Sequence, residues 1–127
     1  MKKIASKNLQ FVPASHEDAL KPGAWKKVLF KKEDFGGGGV IQMVNWASLP
    51  VGSKFKAHYH DDMDEVFIII SGKAQIKAGK EEDILEKGDA VLIPLKTVHQ
   101  MQNLGTEDLE YVVLGISLGK GGQTHVI

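Results

Sequence analysis

The chain contains neither cysteine nor arginine, so every one of its sixteen Lys/Arg positions is a lysine. Without cysteine there is no disulfide framework, no thiolate ligand and no Cys nucleophile, and any metal chemistry falls to histidine and carboxylate side chains. Without arginine the planar guanidinium fork is missing, which counts against bidentate clamps for dicarboxylates or sugar phosphates; a lysine can still add a point charge. An excess of either charge is missing too: sixteen acidic residues balance the lysines to a formal charge of zero. No global field therefore draws the chain to nucleic acid or to an anionic membrane. Long apolar runs are also lacking, since Val66 to Ile70 falls far short of the ~20 residues of a membrane-spanning helix. Met1-Lys2-Lys3-Ile4 opens like a secretory signal, but Ser6, Lys7, Asn8 and Gln10 interrupt the apolar stretch that should follow, so a cytoplasmic protein is expected.

What is present describes one compact domain. With 127 residues, 43% hydrophobic and 25% charged, the chain can bury roughly two thirds of its unfolded surface without disulfides or a structural metal. Residues 13–24 hold the one credible helix start, with Ser15 as N-cap and Pro22-Gly23 as stop, which predicts a short helical turn at most. From Trp25 onward short β-branched and aromatic runs alternate with Gly, Pro, Asn and Asp, the pattern of an antiparallel sandwich or barrel. Strands are expected at 26–30, 40–48, 54–59, 65–71, 73–78, 82–86, 89–93, 97–103, 109–117 and 123–127. The expected layout is a single domain over 1–127, with a core barrel at about 25–118, an N-terminal arm at 1–24 and a C-terminal strand or tail at 119–127. Ala74, Ile76 and Ala78 alternate with Lys73, Gln75 and Lys77, so that strand turns one face to a core and the other to water. Val66 to Ile70 does not alternate, so both faces of its strand require cover, and a second subunit can supply one. A homodimer is expected.

Two glycine-rich stretches invite a phosphate-loop reading and fail it. Gly36 to Gly39 leads into Val40-Ile41-Gln42-Met43-Val44, which reads as strand, whereas a phosphate loop must lead into a helix N-terminus. Gly119-Lys120-Gly121-Gly122 lacks the upstream spacing and the Ser/Thr.

A better site lies between them. His58-Tyr59-His60 places two imidazoles at i and i+2, which in a strand share one face. Glu65 stands at the mouth of the apolar run, where an unpaired carboxylate would bear a large desolvation cost that a cation removes. His99 lies on a further strand candidate just past Pro94, completing three imidazoles and one carboxylate. That donor set suits Mn, Fe, Co, Ni, Cu or Zn, and predicts one divalent transition-metal ion held by His58, His60, Glu65 and His99. Asp61, Asp62 and Asp64 lack the glycine and distal glutamate of an EF-hand and read as a solvated loop. His16 and His125 read as surface imidazoles.

The spacing of these residues resembles the cupin superfamily. Its first motif is matched by Gly52, five residues, His58, one, His60, four, Glu65, six, Gly72; its second by Gly88, Pro94, His99 and Asn103, with Lys96 in place of the inner glycine. The two motifs, separated by residues 73–87, cover residues 52–103, as in short single-domain members. The resemblance implies an all-β double-stranded β-helix, or jelly-roll barrel, with the ligands meeting an ion inside the barrel mouth. The departure at Lys96 bears on the backbone of the turn before His99.

Counting by twos from His99 selects Met101 and Asn103, and from Glu65 selects Phe67 and Ile69, so the ion is expected in a mostly apolar lining in which Phe67 and Met101 face a small-molecule ligand. Met43, Asn45, Tyr111 and Val113 could join from neighbouring strands, and Tyr111 is the one modest acid–base candidate. The family implies dioxygenation, decarboxylation, isomerisation, epimerisation or lyase chemistry, or ligand binding alone, and the lack of arginine weighs against oxalate decarboxylation. Two classes stand: an enzyme that orients a small oxygen-bearing substrate on the ion, and a binding module in which the ion anchors a ligand or the structure.

Overall fold

The computed structural model describes residues 8–31, 40–119 and 122–127. The glycine run 36–39, the signal-like start and Lys120-Gly121 of the second glycine stretch lie outside the described residues. The regular elements among the described residues are strands: β1 (Val12–Pro13), β2 (Trp25–Lys31), β3 (Ile41–Leu49), β4 (His58–His60), β5 (Met63–Ser71), β6 (Lys73–Ala78), β7 (Glu81–Glu86), β8 (Ala90–Ile93), β9 (His99–Asn103), β10 (Leu109–Ser117) and β11 (Thr124–Val126). They form two antiparallel sheets, one of six strands in the order β1-β2-β3-β10-β5-β8 and one of five in the order β11-β4-β9-β6-β7. The sheets close face to face as the expected jelly-roll barrel.

Alternation explains which side chains close it. Along β10, Leu109, Tyr111, Val113, Gly115 and Ser117 are buried while the residues between them are half-buried, and β5 and β9 alternate likewise. The inward set of both sheets, including Leu49, Phe55, Phe67, Ile69, Ala74, Ile76, Met101 and Leu109, makes one continuous core. Ala74 and Ile76 point inward on β6 and Lys73 outward, as their alternation requires.

Three local expectations change. Of the strand expected at 54–59, only His58–His60 pairs as a ladder, with Lys54 making an isolated bridge to Gln102. The helix start at Ser15 is a single turn closed by Glu17 N–H on Ala14 C=O, and the Ser15 hydroxyl accepts from Lys26 Nζ at 2.6 Å instead of capping a helix. The acidic loop is not uniformly solvated: Asp62 is only 3% exposed, accepting from Ser117 Oγ and Gln123 N–H, and Asp64 accepts from Leu95 N–H. These carboxylates tie the β4–β5 turn to neighbouring loops, a long-range use that no local pattern announces.

Candidate metal centre

The four predicted donors come from three strands, two of one sheet and one of the other. His58 and His60 lie on β4 with Tyr59 between them on the other face, His99 opens β9 directly opposite His58, and Glu65 lies on β5 of the facing sheet. All four are buried, at 2 to 5% exposure, and their ligand atoms all lie within 4.8 Å of one another. Glu65 Oε1 is 2.7 Å from His60 Nε2 and 2.9 Å from His99 Nε2. Donors held ~2.1 Å from one ion sit about 3 Å apart when adjacent, so these separations fit a shared ion.

The far side of each imidazole is also fixed. His58 Nδ1 bonds the Lys56 carbonyl at 2.6 Å, His99 Nδ1 the Thr97 carbonyl at 2.9 Å, and His60 Nδ1 the Thr124 hydroxyl at 3.0 Å. A carbonyl only accepts, so Nδ1 of His58 and His99 must carry the proton, which leaves Nε2 as the atom that can ligate. Thr124 comes from β11, so the C-terminal strand orients a ligand. The sequence marked that segment as a strand but carried no signal of this contact.

Electrostatics agree with the geometry. Burial opposes the Glu65 charge, but the His60 and His99 rings, each with Nε2 within 3 Å of its Oε1, outweigh it and hold the carboxyl down to about 2. Burial lowers His58 to about 4, partly offset by its bond to the Lys56 carbonyl. A carboxylate and a neutral imidazole are the forms a metal requires. Three neutral imidazoles and one carboxylate would leave a bound divalent ion with net charge +1 and would not fill a six-coordinate shell.

A cavity of about 280 Å³ opens onto His58, His60 and Glu65, lined also by Met43, Asn45, Phe67, Tyr111 and Val113. Phe67 packs edge-on to Tyr111 at 5.7 Å and lies 6.0 Å from the His99 ring. Met101 is fully buried in the core, and Asn103 uses its amide to tie Leu49 and Glu107 carbonyls. Tyr111 is buried, and burial first, then the Glu65 and Glu17 charges, pushes its hydroxyl above the ordinary value, so it stays protonated at neutral pH.

One histidine is not where the sequence placed it. His125 is exposed, stacked on Tyr59 and paired with Asp61. His16, by contrast, is a wall of the cavity: its side chain is 17% exposed and its ring stacks on His58 with centroids 4.2 Å apart. Burial, then the neighbouring His58, lowers it to about 3. The arm carrying it folds back over the barrel mouth, a long-range contact invisible in a residue outside both motifs.

The relatives agree with this architecture. An uncharacterized protein of Methanocaldococcus jannaschii is 36% identical over 72 residues, covering 57% of this chain and 58% of that protein. A mannose-1-phosphate guanylyltransferase of Salmonella typhimurium is 25% identical over 107 residues, covering 83% of this chain but 21% of the enzyme. The chain thus spans only part of the length of either relative. Among solved structures, a predicted oxalate decarboxylase from Thermotoga maritima superposes with a TM-score of 0.80 at 21% identity, covering 92% of this chain and all of that one. At that identity the likeness speaks for the fold alone. The family model described as Cupin domain matches residues 45–115, which span all four candidate ligands, and the chain belongs to the cupin family.

Proposed function

We propose that the protein is a cytoplasmic, metal-dependent cupin that holds one divalent transition-metal ion through His58, His60, Glu65 and His99 and acts on a small oxygen-bearing molecule bound beside it. One observation carries the reading: the cavity is lined by His58, His60 and Glu65, three of the four clustered donors, so a small ligand could share the ion. The bound ion would supply Lewis acidity or a centre for dioxygen chemistry, consistent with dioxygenase, isomerase or lyase reactions. The protein's own part is to orient and to exclude water. Phe67 and Val113 wall the cavity with apolar surface, and the protonated Tyr111 hydroxyl serves as a hydrogen-bond donor rather than a base. A second reading is a non-catalytic module in which the ion anchors a ligand: Tyr111 keeps its proton and His16, lowered to about 3, does not take one up near neutral pH, so neither exchanges a proton readily there.

Metal analysis of protein purified without chelators tests the shared premise. The expected result is close to one equivalent per chain, lost in a folded His99→Ala variant. Full occupancy in that variant would overturn the assignment. A substrate screen of the loaded protein then separates enzyme from binding module.

A further inference from the structure

Two buried polar atoms in the cavity wall find no hydrogen-bond partner among the described residues: Asn45 Oδ1 and His16 Nε2. Asn45, on β3, is 4% exposed and points into the barrel. Its Nδ2 donates to Met43 Sδ at 3.3 Å. A thioether can only accept, which assigns the NH2 to sulfur and leaves the carbonyl oxygen buried without a partner in a residue that lines the cavity. An unsatisfied buried carbonyl is costly, and a leucine of similar volume would remove the cost, so the position is explained by a donor that arrives with a ligand.

His16 is held rigidly enough to serve beside it. The neighbouring Glu17 carboxylate accepts from Lys56 N–H at 3.0 Å and from Gly23 N–H at 3.4 Å, locking the arm to the barrel. Its Oε1 also lies 3.4 Å from His16 Nε2, but without hydrogen-bond alignment, so the ring nitrogen still lacks a partner. Nearby in the same wall, half-buried Lys26 spends one of its three donors on Ser15 Oγ. Apart from Glu65, already committed to the metal cluster, no carboxylate lines the cavity, and Lys26 is the one ammonium in its wall.

We infer that Asn45 and His16 form a hydroxyl subsite, and Lys26 an anion subsite, for a small hydroxylated carboxylic acid bound beside the metal centre. Size supports the choice: at ~30 Å³ per water the cavity holds roughly nine waters, or an organic molecule of about that many heavy atoms, and a hexose phosphate is larger. Charge supports it as well, since one lysine without arginine suits a monoanion better than a phosphate dianion. The inference rests on the metal-centre reading above, and its test separates the two.

Calorimetric binding of glycerate, propionate and neutral glycerol to the metal-loaded protein is the experiment. Wild type should bind glycerate about tenfold or more tightly than propionate. Asn45→Leu should cut that ratio to threefold or less and, having lost an unsatisfied carbonyl, should melt no lower than wild type. Lys26→Met should weaken both acids while leaving glycerol unchanged. Asn45→Ala repeats the measurement if the leucine does not fold. Metal content is recorded for each protein. If wild type carries no metal, the metal-centre reading fails. If metal is retained and glycerate binds no better than propionate, or Asn45→Leu keeps the preference, the hydroxyl subsite alone is overturned; an unchanged affinity for acids in Lys26→Met overturns the anion subsite.

Discussion

Lys96 has φ near +61°, a left-handed conformation that among the described residues is otherwise confined to glycines. It stands where the cupin motif has its inner glycine, so the backbone conformation of that turn survives although the side chain opposes it. The turn is held from outside: Lys96 N–H donates to the His60 carbonyl at 2.7 Å, and Thr97 N–H to that of Pro94 at 3.3 Å. Left-handed backbone costs a non-glycine residue roughly 1–2 kcal/mol, partly offset by the greater unfolded-state freedom of glycine. Lys96→Gly should therefore stabilise the protein by about 1 kcal/mol, read as a higher denaturant midpoint at unchanged m-value. A lower midpoint would mean that the lysine side chain contributes more than its backbone costs.

The pH response also belongs to single residues. His58 is lowered to about 4 and His16 to about 3, chiefly by burial. The unfolded chain, titrating near 6.5, binds protons that the folded chain refuses, so their contribution is complete above pH 6.5 and is lost as pH falls toward 4. Glu65 works in the same direction lower down: held to about 2 by His60 and His99, it contributes above its unfolded value of 4.5 and loses this as pH falls through 2. At ~1.4 kcal/mol per unit, His58 alone accounts for on the order of 3 kcal/mol. Denaturation of chelator-treated protein should therefore show stability falling steeply between pH 6.5 and 4. A flat profile would contradict a buried, neutral His58.

At the scale of elements, most of the fold was legible because strands advertise themselves through turns and alternation. The strands expected at 73–78 and 109–117 have the observed bounds. The ligand set was legible for a related reason: i and i+2 on a strand share a face whatever the rest of the chain does. The arm was not legible. His16, Glu17 and Gly23 have no period, and their roles depend on contacts with Lys54, Lys56 and His58, more than thirty residues away in sequence. Gly23 shows how tight that contact is, since a Cβ there would collide with the Lys54 carbonyl oxygen. Backbone cannot give way as a side chain can, so Gly23→Ala should lift the arm and destabilise the protein by about 1–3 kcal/mol. Hydrogen exchange at the Lys56 amide, bonded to Glu17, should accelerate in step. Unchanged exchange and stability would mean that the arm is not anchored there.

The whole molecule leaves one face of its larger sheet unexplained by its own core. The registers place Val44 of β3, Leu114 of β10, Val66 of β5 and Leu92 of β8 in one row across the sheet, and Trp46, Val112, Ile68 and Ala90 in the next. These residues alternate with the buried inward set, so they form the outer face, and none of the eight is fully buried. Two adjacent rows of apolar side chains over four strands make a contiguous patch of the kind that soluble monomers rarely leave to water. A second copy of the chain packed on this face would explain why Val66 to Ile70 is apolar throughout instead of alternating with polar residues. A twofold arrangement would bury the same rows from both subunits, and a stable contact needs at least ~1,200 Å² in total. Light scattering at micromolar concentration should give twice the chain mass, and Ile68→Lys or Leu114→Glu should return it to the single mass with the barrel intact. Since these side chains point away from the cavity, metal content should not change in the separated subunits. A wild-type monomer, or a dimer indifferent to both charges, would remove this face as the interface.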